Sequence, residues 1–127
     1  GKRVKELAAI HHRLAKAHVS EGNKEQGLAE LDQAFRITPG NLAILVDLGR
    51  LALDLGDLDR AQKTFRALLL QRLDDKAPIT KAEVFYYLGE ISHRQGETQR
   101  AIQMLERALE NDASFEKAKE LYEKLKA

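Results

Sequence analysis

The sequence predicts an all-α fold of seven antiparallel-packed helices: one helical hairpin written three times, then a closing helix. A single frame recurs along the chain. It reads Phe85-x2-Leu88-Gly89, Gly96 and Ala101-x3-Leu105-x2-Ala108, and earlier Leu45-x2-Leu48-Gly49, Gly56 and Ala61-x3-Phe65. A weaker copy reads His11-x2-Leu14-Ala15, Gly22 and Gly27-x3-Leu31-x2-Ala34, closing at Pro39. In each copy two apolar-periodic stretches flank one glycine, the pattern of helix, tight turn and antiparallel helix. Self-similarity at this period marks a solenoid. No stretch shows the strict alternation of a half-buried strand, and no segment is of low complexity.

The first helix is expected from about Lys2 to Ser20. Val4, Leu7, Ala8, Ile10, His11, Leu14, Ala15, Ala17 and His18 recur at three- and four-residue spacing and form its apolar stripe. Gly22 supplies a left-handed stop and Asn23 the next N-cap, with Gln26 in the third helical position. The second helix spans about Lys24 to Ile37, facing its partners with Leu28, Leu31, Ala34, Phe35 and Ile37, and Pro39-Gly40 ends it.

The third helix runs from about Leu42 to Leu55 with Leu45, Leu48, Gly49 and Ala52 inward. Gly49, mid-helix, costs roughly 1 kcal/mol against alanine, so a close helix approach is expected there. Gly56-Asp57 is again stop and cap. The fourth helix carries Ala61, Phe65, Leu68, Leu69 and Leu73 and is expected to overrun the repeat, the segment Leu73 to Pro78 accounting for the extra length.

Thr80 and Glu83 then form a capping box, with Ile79 and Val84 as its hydrophobic staple. The fifth helix extends to about Gln95, with Phe85, Leu88, Gly89 and Ser92 inward. The sixth spans about Thr98 to Asn111, with Ala101, Ile102, Leu105 and Ala108 inward. Ser114 is expected to cap a seventh helix reaching about Lys126. Its apolar side is Phe115, Ala118, Leu121, Tyr122 and Leu125, and its other side is densely charged, as a terminal helix of a stack requires. One domain of 127 residues results, with repeats over about 8–41, 42–80 and 82–115 and a capping helix over about 114–126.

Composition narrows the function classes. Charged residues make up 32% and apolar ones 43%, enough to bury a core and stay soluble. A net charge of +1 argues against nucleic acid or an anionic membrane as partner. Cysteine is absent, which removes disulfides and thiolate metal sites. No apolar run approaches the roughly 20 residues of a membrane span. No signal-peptide core is present either, so a cytoplasmic location is expected. The start Gly1-Lys2-Arg3, without an initiator Met, points to a piece of a longer protein.

The repeats resemble the tetratricopeptide repeat family, whose pattern places an aromatic, Leu-Gly, a second aromatic, Ala, a third aromatic and a closing Pro over about 34 residues. The third copy matches at Phe85, Leu88, Gly89, Gly96, Ala101 and Ala108. The second matches at Leu48, Gly49, Gly56, Ala61 and Phe65, and the first at Leu14, Gly22, Ala34 and Pro39. Departures are His11 and Leu45 at the first aromatic, His18, Ala52 and Ser92 at the second, and Gly27 for the first Ala of the second helix.

The resemblance implies a right-handed superhelix with a concave groove lined by the first helix of each pair, binding a peptide or helix of another protein and doing no chemistry. The family's groove positions fall on His12, Arg13 and Lys16 in the first repeat. In the second they fall on Val46, Asp47, Arg50 and Leu53, and in the third on Glu83, Tyr86, Tyr87, Glu90 and Arg94. Chaperone-tail binders of the family clamp a terminal carboxylate with Lys and Asn. Asp47 and Glu83 at the corresponding places would repel one.

Several of these residues have plainer readings. Tyr86 and Tyr87 adjoin core positions, so a ring packed on a neighbouring helix competes with an exposed anchor for a ligand, a role tyrosine favours. For the groove charges the plainer reading is a solvated face with internal ion pairs, each contributing little. His11 and His18 share the buried stripe, and no His-x3-His pair supports zinc. Neither a cysteine nucleophile nor a phosphate loop nor a serine elbow is present, which argues against an enzyme, and no cofactor is expected.

The expected function is therefore a protein–protein interaction module, with binding centred on repeats two and three. The alternative is a spacer or self-association block, forming a homo-oligomer through stacked ends. The first turns of the first helix, with Val4, Leu7, Ala8 and Ile10, are expected to expose apolar surface that further upstream helices or a partner cover in the parent protein.

Overall fold

The computed structural model describes residues 1–127 as seven α-helices joined by turns, without a strand. They are α1 (Lys2–Ser20), α2 (Lys24–Ile37), α3 (Leu42–Asp54), α4 (Leu58–Leu69), α5 (Lys81–Arg94), α6 (Thr98–Asn111) and α7 (Glu116–Lys126). The chain forms two compact units, Gly1–Thr64 and Phe65–Ala127.

The hairpin turns share one mechanism. Gly22, Gly56 and Gly96 have φ of +85°, +77° and +79°. At each, the residue after the glycine donates its N–H back into the preceding helix: Asn23 to the His18 carbonyl, Asp57 to Ala52 and Glu97 to Ser92. Each glycine itself donates one turn back, to Val19, Leu53 and His93. This paired closure satisfies the orphan carbonyls of the helix end and requires a residue that tolerates positive φ.

The caps vary more. Thr80 and Glu83 form the full capping box, and Ile79 and Val84 are both buried beside it. The Asp57 side chain accepts from the Arg60 N–H, and Asn41 accepts from Ile44. Asn23 sits at the N-cap of α2, yet its side chain makes no capping bond. Ser114 does not cap α7: its N–H and hydroxyl both turn to Asp112 Oδ1, at 3.0 and 2.7 Å, and Phe115 takes the cap position.

The fourth helix is shorter than expected. It ends at Leu69, and Leu73 lies outside it. Leu70 and Gln71 donate to Ala67 and Leu68 in a tight closing turn, and Leu70 is 87% exposed. Beyond them Asp74 accepts from the Lys76 N–H, a local side-chain bond that competes with continued helix.

Within the first unit, Ala15, Leu31, Leu48 and Leu51 form a buried cluster backed by Leu28, Phe35 and Leu55. The α1 stripe is narrower than its periodicity implies. Ala8 and Ala15 are its buried residues, whereas Val4, Leu7, Ile10 and Leu14 stay exposed. Small side chains make the contact, and Gly27 of α2 allows it: a Cβ there would stand 2.7 Å from Val19 Cγ2 and 3.2 Å from the Ala15 carbonyl oxygen. Arg60 at the start of α4 is ion-paired with Asp32 of α2.

Within the second unit, Phe85, Leu105, Ala108 and Ala118 are the buried centre, with Phe115, Leu121, Tyr122 and Leu125 packed on it. α5 lies against α6 through Gly89, where a Cβ would meet Leu105 Cγ at 3.0 Å. Arg107 of α6 places its guanidinium 4.9 Å from the Phe85 ring centroid.

Candidate partner-binding surfaces

In the first unit an adjacent pair of histidines ties α1 to α2 and to α3. His11 Nδ1 lies 2.7 Å from Glu30 Oε2 on α2, and His12 Nε2 lies 2.6 Å from Asp47 Oδ2 on α3. Two neighbouring residues on one helix thus reach two different helices, because successive helical positions diverge by about a quarter turn. His12 and Asp47 therefore serve internal structure before any ligand.

Beyond this brace lies a depression of about 440 Å³. Ala15, Leu31 and Leu51 give it an apolar floor, and Lys16, Arg50, Asp47 and Asp54 give it a rim of both charge signs, with Val19 and Ser20 completing the wall. Lys24 Nζ stands 3.9 Å from Asp54 Oδ2 at its edge. Arg13 is exposed but is not among the lining residues. Val46 and Leu53 are 2% and 6% exposed, in the core, so the apolar contact expected of them is made to the protein itself.

In the second unit an aromatic row crosses α5. The Tyr87 ring stacks on buried Phe65 at 4.7 Å, with the planes 14° apart. Tyr86 meets Tyr87 edge-on at 5.6 Å and meets Phe115 at 5.3 Å on its other side. Both rings are half-buried and packed, Tyr87 on Phe65 and Tyr86 between Tyr87 and Phe115. Tyr86 separates two depressions of about 410 and 320 Å³. The larger is lined further by Glu90, His93 and Arg94 of α5 and by Lys117, Glu120, Leu121 and Lys124 of α7. The smaller is lined by Glu83, Tyr87, Phe115, Glu116 and Lys117.

Burial pushes the Tyr86 phenol up to about 12, assisted by the negative charge of Glu90 and a hydrogen bond to it, and opposed by Arg94. Arg94 Nη2 in turn donates to Glu90 Oε2 at 2.9 Å. Glu90 is thereby shared between a phenol and a guanidinium.

The contribution of α7 is what sequence reasoning missed. Its charged side reads as a solvated cap, yet Lys117, Glu120 and Lys124 line the larger depression. A signal existed: shifting by the family repeat of about 34 residues carries Glu83 to Lys117, Tyr86 to Glu120 and Glu90 to Lys124. α7 stands where the first helix of a further hairpin would stand. No helix is long and apolar enough to cross a membrane.

Compared with the curated proteins by sequence, the chain matches none. Solved structures share its fold. A crystal structure of MamA aligns over 94% of this chain and 62% of its own, at TM-score 0.80 and 21% identity. The N-terminal domain of stress-induced protein-1 from C. elegans aligns over 98% of both chains at TM-score 0.79 and 16% identity. The first TPR of Spaghetti, solved with the HSP90 peptide SRMEEVD, covers 96% of this chain and 92% of its own at TM-score 0.78 and 14% identity. The chain thus spans less than two thirds of the MamA chain. The tetratricopeptide repeat family profile matches residues 12–78 and 46–114. Seven helices, three of them closed by left-handed glycines, and a family match over most of their length place this chain in the tetratricopeptide repeat family.

Proposed function

We propose that this chain is a non-catalytic module that binds a peptide or helix of another protein, with the surface around Tyr86 as the main contact. Tetratricopeptide repeats commonly mediate protein–protein interaction, and similar structures include one described as having an unusual peptide-binding site. The observation that carries the reading is the position of Tyr86. Its ring is held between Tyr87 and Phe115 and borders two depressions whose walls carry acidic and basic side chains. A rigid aromatic centre with a polar rim is the composition of an interface hot region.

On this reading Tyr86, Glu90 and Arg94 of α5 act with Lys117 and Lys124 of α7, and Glu83 and Tyr87 line the adjoining depression. The first unit adds Lys16, Arg50 and Asp47 around its own depression, and Arg13 contributes charge. Exposed charges of this kind act more on association rate and salt dependence than on affinity.

The test is selection of binding peptides from a displayed random library, followed by titration of the best one. Tyr86→Ala should weaken it by about 2 kcal/mol or more, the magnitude of a hot spot. Arg13→Ala should cost less, and mainly at low salt. If folded Tyr86→Ala binds unchanged while substitutions on α6 abolish binding, the assignment to this surface is wrong.

A further inference from the structure

We propose that α1 carries a second, independent interaction surface, and that it pairs antiparallel with α1 of another copy of this chain. Leu7, Ile10 and Leu14 are 47%, 44% and 43% exposed and follow one another at three- and four-residue spacing. They form one continuous strip, unlike the scattered apolar residues of an ordinary surface. The face of α1 that serves its own fold is a different one. Ala8 and Ala15 are buried against the unit, and His11 and His12 hold Glu30 of α2 and Asp47 of α3. The exposed part of the strip lies outside these contacts.

The flanking charges select the occupant. Glu6 and Arg13 precede Leu7 and Leu14 by one position each, so they share one edge of the strip, a heptad apart. In an antiparallel pair, like edges meet. When Leu7 packs on the partner's Ile10, Glu6 faces the partner's Arg13, and two-fold symmetry forms that ion pair twice. In the same register the aliphatic stem of Arg3 covers the partner's Leu14, as long basic side chains do. Sliding by one heptad sets Arg13 against the partner's Arg13 in one direction and Glu6 against the partner's Glu6 in the other. One register therefore satisfies both the apolar strip and its charges. A short helix pair of this size gives a weak dimer, one that responds to concentration.

Sedimentation equilibrium of the 127-residue chain, from micromolar to millimolar, reads the association directly. The wild-type chain should show a concentration-dependent dimer. Leu14→Glu should remain monomeric throughout. Glu6→Arg and Arg13→Glu should each weaken the dimer about fivefold or more, since each turns two attractive pairs into two repulsive ones. The combined Glu6→Arg/Arg13→Glu chain should regain wild-type association. Glu6, Arg13 and Leu14 are all exposed, and an unchanged urea midpoint confirms folding. If one variant is less stable, Leu7→Lys replaces it. A wild-type chain that stays monomeric at millimolar concentration, a Leu14→Glu chain that still dimerises, or a charge swap that fails to restore pairing overturns the proposal.

Discussion

His12 Nε2 lies 2.6 Å from Asp47 Oδ2, joining α1 to α3 through two positions that the family resemblance assigns to the groove. The His12 side chain is 15% exposed and that of Asp47 36%. Water can reach the carboxylate, so losing its partner leaves a hydrated charge rather than a stranded one. His12→Ala should therefore cost only about 1 kcal/mol by urea unfolding. Asp47→Ala should cost a similar amount. The double variant should cost less than the two together, because the contact can be lost only once. Strict additivity would show that the pair contributes nothing.

Gly89 stands against Leu105, where a Cβ would meet Cγ at 3.0 Å and the Ala101 carbonyl oxygen at 3.4 Å. Gly89→Leu should overpack the α5–α6 contact and cost roughly 1–3 kcal/mol or more. An unchanged urea midpoint would remove the packing role assigned to this glycine.

Gly27 is a subtler case. Alanine is better than glycine in a helix by roughly 1 kcal/mol. The new Cβ, however, would stand 2.7 Å from Val19 Cγ2, a branched side chain with little freedom to move. Gly27→Ala should therefore be destabilising in the native background. In a Val19→Ala background the same change should become neutral or stabilising. A sign that does not depend on residue 19 would mean that the clash is relieved elsewhere.

The Tyr86 phenol, raised from 10.0 to about 12, is a proton held more tightly in the fold than in the unfolded chain. Its contribution to stability is complete below pH 10 and is lost as pH rises through about 12. Phenolate absorbance should show a late-titrating tyrosine near pH 12. Tyr86→Phe should abolish that step, and Glu90→Gln should move it downward by removing the adjacent charge. Persistence of the late step in Tyr86→Phe would assign it to another ring.

The peptide SRMEEVD, bound by the Spaghetti repeat, provides a contrast for specificity. This chain places Asp47 and Glu83 where the family's carboxylate clamps use neutral or basic residues, and Asp47 is already bonded to His12. Fluorescence titration with labelled SRMEEVD should show no saturable binding. Glu83→Lys should not create it, because Asp47 remains. Tight binding by the wild-type chain would show that the acidic positions do not face the ligand.

Much of the fold was legible because it rests on local chemistry. A glycine directly after an apolar-periodic run favours the left-handed conformation that Cβ-bearing residues adopt only at a cost, and Gly22, Gly56 and Gly96 all take it. The capping box of Thr80 and Glu83 is likewise a matter of four consecutive residues. Where local signals competed, the reading went astray. Ser114 has the right side chain for an N-cap but finds Asp112 closer, and Leu73 continues the apolar run of α4 after Leu70 has already turned to solvent.

The candidate surfaces were less legible, because a helical face is apolar for more than one reason. The family resemblance places Val46 and Leu53 in the groove and periodicity places Leu7 and Leu14 on the packed stripe, yet the first two are buried and the last two exposed. The difference depends on which neighbouring helix comes close and at what angle, set by residues distant in sequence such as Leu51 at Gly27. By itself the sequence determined seven helices, their turns and the family, since each follows from bonds made within a few residues. Tertiary structure decided that His12 holds Asp47, that Tyr87 packs on Phe65 while Tyr86 packs between Tyr87 and Phe115 and borders two depressions, and that α7 lends its lysines to them. Those outcomes depend on distances between helices, which no local pattern encodes.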